Sequence, residues 1–257
     1  MDYRGAGTVR RGRSGNEVDV AGVAGRTPAR PEGPAGQGRA AHWDGVYAGR
    51  AESATSWFQA EPGTSLQLLD ALDLDPAAPV VDVGAGASRL VDALLDRGHR
   101  DVTVLDMAPA ALASARSRLG PLREAMVDWI AADLLEWAPA RRYRVWHDRA
   151  VFHFLTDPAE QAAYRAVARQ AVAPGGFLVV GTFALGGPTR CSGLPVARYD
   201  PDALAEALAP GFTPVLSQRE THHTPWDAEQ PFTWVVLRRV DLAELTDPGR
   251  LVDPGSQ

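Results

Sequence analysis

The chain has 257 residues, a formal net charge of −6 and an apolar fraction of 45%, enough to build the core of one large α/β domain with appendages. Its acidic balance disfavours non-specific nucleic-acid binding, and no stretch reaches the ~18 to 20 apolar residues of a membrane span. Every basic residue is arginine; without lysine there is no Walker-type phosphate lysine, no Schiff-base lysine and no lysine general base. The lone cysteine, Cys191, rules out an internal disulfide.

Residues 1–40 are rich in Gly, Arg, Ala and Pro and hold almost no large apolar residue, a composition expected of a disordered tail or an over-extended start. Asp2, Glu17, Asp19 and Glu32 argue against a transit peptide, and the apolar core of a secretory signal is missing, so a cytoplasmic protein is expected. From Ala41 the texture changes. His42, Trp43, Tyr47, Trp57 and Phe58 come in quick succession, and Leu66, Leu68, Leu69 and Leu72 recur at helical spacing. They predict an N-terminal cap over 41–75, stopped by Asp75-Pro76, ahead of a core over 79–240 and a polar tail over 241–257.

The first strand is expected from Pro79 to Asp82, breaking into Val83-Gly84-Ala85-Gly86-Ala87-Ser88-Arg89. Glycine at 84 and 86 allows backbone angles or a close ligand approach that a side chain would block, and the following helix offers unpaired N–H groups. That helix carries Leu90, Val91, Leu94 and Leu95 and ends at Gly98. Strand two runs Val102 to Asp106; the next helix starts near Pro109 with a stripe of Leu112, Ala115 and Leu119. Strand three is expected around Val127 to Ala132, ending at Asp133, and strand four from Tyr143 to His147, ending at Asp148. Asp157-Pro158 caps a helix through Val172, Pro174-Gly175-Gly176 turns into a fifth strand from Phe177 to Phe183, and Asp200-Pro201 opens a short helix. Runs around Thr213 to Glu220 and Phe232 to Arg239 read as a hairpin. The alternation predicts a doubly wound, mainly parallel seven-stranded sheet with one late antiparallel strand.

In such sheets ligands collect beyond the carboxyl ends of the strands, and Asp82, Asp106, Asp133 and Asp148 all fall there. Asp106 ends its strand about 20 residues past Gly86, the place of an acid that accepts ribose hydroxyls. A nicotinamide enzyme would prefer glycine at position 89, where this chain has arginine. Asp82, two residues before the first glycine, suits a cationic ligand better than a pyrophosphate.

The order Asp82-Val83-Gly84-Ala85-Gly86, Asp106, Ala132-Asp133, Asp148 and Pro174-Gly175-Gly176 resembles the seven-stranded, class I S-adenosylmethionine-dependent methyltransferases over roughly residues 40–240. The resemblance implies S-adenosylmethionine as cofactor, with Gly84 and Gly86 at its methionine end, Asp106 at the ribose and Asp133 at the adenine, and with Met107 and Leu134 among the further cofactor contacts. Asp82, Asp148 and Trp57 complete the expected cofactor bed. Ser88 stands where many members carry a third glycine. At the front, Trp43, Tyr47 and Trp57-Phe58-Gln59 resemble the aromatic cap of the thiopurine-type and type-12 branches, which closes over the cofactor; simple packing of Trp43 and Tyr47 on the sheet edge is the alternative.

Methyl transfer is an in-line displacement that needs alignment, dryness and, for a protonated nucleophile, a base. After strand four, His153 is the candidate base, its alternative role being packing between Phe152 and Phe154. Arg149 is the candidate to orient an anionic substrate or the cofactor carboxylate, or else to pair with Asp148 as scaffold. Phe58, Cys191, Tyr199 and His222 are the candidate substrate contacts, the middle two lying in the glycine-rich loop 186–199. No pair of ligands has diagnostic zinc spacing, so no metal is expected. The reading is a methyltransferase for a small-molecule nucleophile, thiol or other soft or anionic acceptor, working as a monomer or weak dimer with neither nucleic acid nor membrane as partner. A protein-lysine methyltransferase is the alternative within the enzymes, although those relatives tend to carry Asp-Lys-Gly where this chain has Asp148-Arg149-Ala150. A non-catalytic cofactor-binding module is the alternative outside them.

Overall fold

The computed structural model describes residues 37–49 and 51–240; of the tails expected over 1–40 and 241–257, residues 1–36 and 241–257 lie outside the described residues. Helix α1 (Gln37–Ala48) begins inside the segment expected to be tail, because Arg39 is anchored to Glu160 and Asp133. A 3₁₀ turn (Glu52–Ala54) and α2 (Gly63–Asp70) complete the cap. The core then runs β1 (Val80–Val83), α3 (Leu90–Asp96), β2 (Val102–Asp106), α4 (Pro109–Glu124), β3 (Val127–Ala131) and β4 (Tyr143–Arg149). After a second 3₁₀ turn (Phe152–Phe154) come α5 (Pro158–Ala171), β5 (Val172–Phe183), the two-residue strands β6 (Arg190–Cys191) and β7 (Leu194–Pro195), α6 (Pro201–Leu208), β8 (Phe212–His223) and β9 (Glu229–Arg239).

The main sheet has seven strands in the order β3-β2-β1-β4-β5-β9-β8. The first five are parallel neighbours, and β9 runs antiparallel to both β5 and β8, as the sequence predicted. All four residues of β1 are buried, because helices cover both faces of the sheet. Val81, Val83, Trp146, Leu178 and Val180 face Tyr164, Ala168 and Leu204 of α5 and α6 in one core layer. Val80, Val102, Val104, Val145 and Val179 face Leu66, Leu69, Leu90, Leu94 and Leu112 in the other. Helices start where the sequence supplies caps. Asp157 accepts from the Ala159 N–H and Asp200 from the Ala203 N–H, each followed by a proline whose missing donor costs nothing there.

Three elements differ from their predicted form. Pro174-Gly175-Gly176 is no turn between helix and strand. It bulges out of β5, whose pairing with β4 begins at Tyr143–Val172 and resumes at Val145–Phe177. Gly176 is needed there because a Cβ would stand 2.8 Å from the carbonyl oxygens of Ala173 and Arg144. The loop 186–199 contains the small β6–β7 hairpin, closed by Ser192 and Gly193 with φ of 50° and 79°, the two-residue turn whose twist matches antiparallel strands. The last hairpin is longer than its apolar pattern suggested, with pairing out to His223–Glu229.

Candidate functional site

The switch in strand order falls between β1 and β4, and the functional residues gather above it. At the end of β1, Gly84 and Gly86 both take φ of +56°, a left-handed backbone that other residues adopt only under strain. Both are also packed too closely for a side chain. A Cβ at Gly84 would lie 2.1 Å from Cγ2 of Val151, and one at Gly86 would lie 2.1 Å from the Tyr47 hydroxyl. The turn is thus clasped between the loop after β4 and the cap helix. From β2, Asp106 reaches across to accept the Gly86 N–H and its own helix's Ala108 N–H, each at 2.7 Å. Burial pushes this carboxyl up to about 6 despite those bonds.

Two adjoining cavities open over this turn. The first is lined by Glu52, Trp57, Phe58, Asp82, Gly84 and Arg89, among others; the second by Trp43, Asp106, Met107, Asp133, Leu134 and Phe232. Tyr47, Trp57, Gly84 and Arg149 border both. Together they make one trough running from β1 over β2 toward β3, with a side branch over β4, β5 and β9. The predicted cofactor residues Trp57, Asp82, Gly84, Asp106, Met107, Asp133 and Leu134 all line it, and Gly86 holds the turn beneath Tyr47.

The cap is bolted over the trough by polar bonds. Asp44 of α1 accepts the Ala110 N–H at 2.9 Å at the start of α4, where a carboxylate is favoured by the unpaired donors of a helix N-terminus. Arg39 pairs with Asp133 at 3.2 Å and with Glu160 at 2.8 Å. Inside, Trp43 meets Phe154 and Trp57 edge-on at 5.1 and 6.0 Å, and Tyr47 meets Trp57 at 6.1 Å. Arg118 secures the outer side of the turn, donating to the carbonyls of Ala87 and Ser88 while pairing with Glu52 and Asp92.

Below the first cavity lies a polar chain that sequence reading missed. Asp82 and His147 are register partners on β1 and β4. The His147 Nδ1 stands 2.7 Å from Asp82 Oδ1, and its Nε2 stands 2.9 Å from Ser65 Oγ on α2. An acceptor-only carboxylate takes the Nδ1 proton, which leaves Nε2 to accept from the serine hydroxyl. All three side chains are buried. The available signal was a histidine at an inward position of a strand otherwise filled by Val145 and Trp146, directly across from an acid.

Arg149 ends β4. Its Nη1 donates to the Trp57 carbonyl at 3.0 Å, and its guanidinium lies 4.8 Å over the Phe232 ring. No acid stands within ion-pair distance among the described residues, and Nε and Nη2 are buried without partners there. Burial lowers its pKa from the ordinary arginine value, with Glu220, Cys191 and Asp82 only partly offsetting the loss of water.

Four predicted site residues stand elsewhere. Asp148 is fully buried and spends its carboxylate on the N–H groups of Val151 and Phe152 and on the Tyr164 hydroxyl; it shapes the loop after β4 and does not line the trough. His153 is also fully buried, between Phe154 and Phe183. Its Nδ1 accepts the Phe183 N–H at 3.4 Å, so the ring proton sits on Nε2. Burial and the nearby Arg149 push its pKa down to about 3. It packs as a neutral ring outside the trough, which removes the geometric case for a base. Tyr199 packs on Phe152 and accepts from Gln161, and His222 bonds the Ser56 carbonyl at 2.7 Å on an outer rim that it shares with Phe58. Cys191 does border the trough, with burial raising its thiol to about 11, so it is present as an apolar wall.

A seven-stranded sheet of this order, with one antiparallel strand and the glycine turn at β1, is the Rossmann-like fold of the class I methyltransferases. A family model described as a methyltransferase domain matches residues 80–176. Among curated proteins, the chain is 37% identical over 93 residues to trans-aconitate 2-methyltransferase of Azoarcus sp. (strain BH72), covering 36% of this chain and 35% of that one. It is 24% identical over 176 residues to malonyl-(acyl-carrier protein) O-methyltransferase of Paenibacillus sp. (strain JDR-2), covering 60% and 62%. The chain thus spans between about a third and just under two thirds of the length of these relatives. Among solved structures, Burkholderia thailandensis 1,6-didemethyltoxoflavin-N1-methyltransferase, crystallised with 1,6-didemethyltoxoflavin and S-adenosylhomocysteine, superposes with a TM-score of 0.59 at 24% identity, covering 83% of this chain and 94% of that one. The N-methyltransferase NodS of Bradyrhizobium japonicum WM9, also with S-adenosylhomocysteine, gives 0.56 at 18%, covering 78% and 100%.

Proposed function

We propose that this chain is an S-adenosylmethionine-dependent methyltransferase acting on a small-molecule nucleophile, a thiol or another soft or anionic acceptor. The observation that carries this reading is the pair of adjoining cavities over the glycine turn, walled by Asp82 in one and by Asp106 and Asp133 in the other, and bordered by aromatic side chains. The residues fit the cofactor. Gly84 and Gly86 leave backbone where a Cβ would block the approach, Asp106 presents a carboxylate for two vicinal hydroxyls, and Asp82 brings negative charge toward the end where an ammonium and a sulfonium belong.

When bound, S-adenosylmethionine supplies a methyl carbon already activated by its sulfonium. The work left to the protein is alignment and exclusion of water. Trp43, Tyr47, Trp57 and Phe154 form the apolar roof for the second task, and the Arg39 and Asp44 anchors hold it in place. With His153 neutral and buried, an acceptor that arrives deprotonated suits this site best. Two curated relatives are named for trans-aconitate and for a carrier-bound malonyl group, which favours a small-molecule acceptor over a protein lysine. A closer kinship with the thiopurine-type branch rests on Trp43, Tyr47 and Trp57-Phe58-Gln59 alone.

The test supplies methyl-labelled S-adenosylmethionine with thiols, carboxylates, phenols, amines and whole-cell protein. Label is expected in a small-molecule product. Label confined to protein would overturn the acceptor class, and tight S-adenosylhomocysteine binding with no turnover on any acceptor would make the chain a binding module.

A further inference from the structure

We propose that the acceptor carries a carboxylate, gripped side-on by the free edge of Arg149. The inference rests on the methyltransferase reading and adds the chemical class of the group that the acceptor presents. Three arginines border the trough. Arg39 is paired with Asp133 and Glu160, and Arg89 with Glu52 at 2.6 Å. Arg149 alone of the three has no ion pair among the described residues. Its donor bond from Nη1 to the Trp57 carbonyl fixes the plane of the guanidinium, and Phe232 supports its face. The atoms left over are Nε and Nη2. These two lie on the same edge of the guanidinium and form the parallel N–H fork that a carboxylate accepts bidentately. A buried cation with unpaired donors is costly, and one planar monoanion would satisfy both its charge and its hydrogen bonds.

The acids around the trough are already engaged: Glu52 with Arg89 and Arg118, Asp82 with His147, Asp106 with two backbone N–H groups, and Asp133 with Arg39. The missing anion therefore comes with a ligand. The cofactor's own carboxylate is the competing occupant, and the sheet order argues against it. Of the predicted cofactor residues that line the trough, Trp57 comes from the cap and the rest lie at the ends of β1, β2 and β3. Arg149 ends β4, on the other side of β1; the Phe232 ring beneath it comes from β9, and Phe183 of β5 and Cys191 of β6 line the same cavity. The fork thus belongs to the acceptor's branch of the trough, where Val151, Phe154, Phe183 and Phe232 provide apolar walls for the rest of the molecule.

The experiment is calorimetric titration of the full-length chain saturated with S-adenosylhomocysteine, using size-matched pairs: propionate and propionamide, succinate and succinamide, benzoate and benzamide. At least one carboxylate is expected to bind ten-fold or more tightly than its amide. Arg149→Gln should erase that preference in the S-adenosylhomocysteine-saturated chain, and Arg149→Lys, which keeps charge but loses the fork, should restore only part of it. No preference for carboxylates in the wild-type chain overturns the proposal. So does a carboxylate preference that survives unchanged in Arg149→Gln; a fork already filled by the cofactor's carboxylate would show as no preference in the saturated wild-type chain. Failure of the wild-type chain to bind S-adenosylhomocysteine at all is a separate result, and strikes the methyltransferase reading itself.

Discussion

Replacing His147 by leucine tests whether the chain Asp82–His147–Ser65 holds the floor of the site. The substitution removes the 2.7 Å bond to the Asp82 carboxylate and the 2.9 Å bond to the Ser65 hydroxyl, both in a layer sealed by α2 and covered on one side by Trp234. A hydrogen bond to a charged group contributes about 1.5–3 kcal/mol and a neutral one about 0.5–1.5, so His147→Leu should cost roughly 3 kcal/mol. That is a sizeable share of the ~5–15 kcal/mol that stabilises a typical domain. For a chain of this size it corresponds to a fall of about 6–12 °C in Tm. Urea unfolding followed by tryptophan fluorescence reads the loss directly. Ser65→Ala, which cuts only the neutral bond, should cost about 1 kcal/mol. The double variant Asp82→Leu/His147→Leu should cost less than the sum of its singles, because it leaves no buried carboxylate unpaired. The reasoning fails if His147→Leu is no worse than Ser65→Ala, or if the double variant is additive within about 0.5 kcal/mol.

Gly84→Ala combines a left-handed φ with a Cβ 2.1 Å from Val151 Cγ2, and should weaken S-adenosylhomocysteine binding at least ten-fold. Adding Val151→Ala should recover part of the affinity by relieving the clash, and a Gly84→Ala protein that binds normally would show that the turn yields easily. For Asp106, the carboxyl titrates at about 6 in the folded protein against an ordinary 3.8. Below that pH it takes up a proton and loses acceptor capacity, so the Kd for S-adenosylhomocysteine should rise by up to about ten-fold per pH unit as pH falls below 6. Asp106→Asn should bind weakly and without that slope; a slope that survives the substitution would assign it to another group. The sign is opposite for stability of the uncomplexed chain. A raised carboxyl pKa favours folding at acid pH, and that contribution is lost as pH climbs from 3.8 through about 6.

The sheet was legible in the sequence because its cause is local. Strands buried on both faces demand runs such as Val80-Val81 and Val102-Thr103-Val104-Leu105, and the helices between them show their apolar stripes and their Asp-Pro starts. The glycine turn was legible for the same reason: a backbone with φ of +56° at Gly84 and Gly86 leaves its mark on residue type. Asp106 followed from its distance to that turn. Register and burial do not leave such marks. Asp148 and Asp106 read alike as acids at strand ends. Folded, one is consumed by the loop after β4 and Tyr164, while the other faces the trough.

His153 looked like a base because histidine titrates near neutrality, and only the packing of Phe154 and Phe183 around it decides that it stays neutral and dry. The join of Ser65, Asp82 and His147 spans 82 residues of chain and exists only once β1 and β4 pair beneath α2. The free edge of Arg149 is likewise a property of the fold, since an arginine's partners are set by what the rest of the chain brings within reach. The sequence by itself determined the sheet and the cofactor's turn, through residue types that local backbone geometry requires. The tertiary structure decided which polar groups are spent on holding the protein together and which remain for a ligand, because that division depends on long-range contacts that no local pattern encodes.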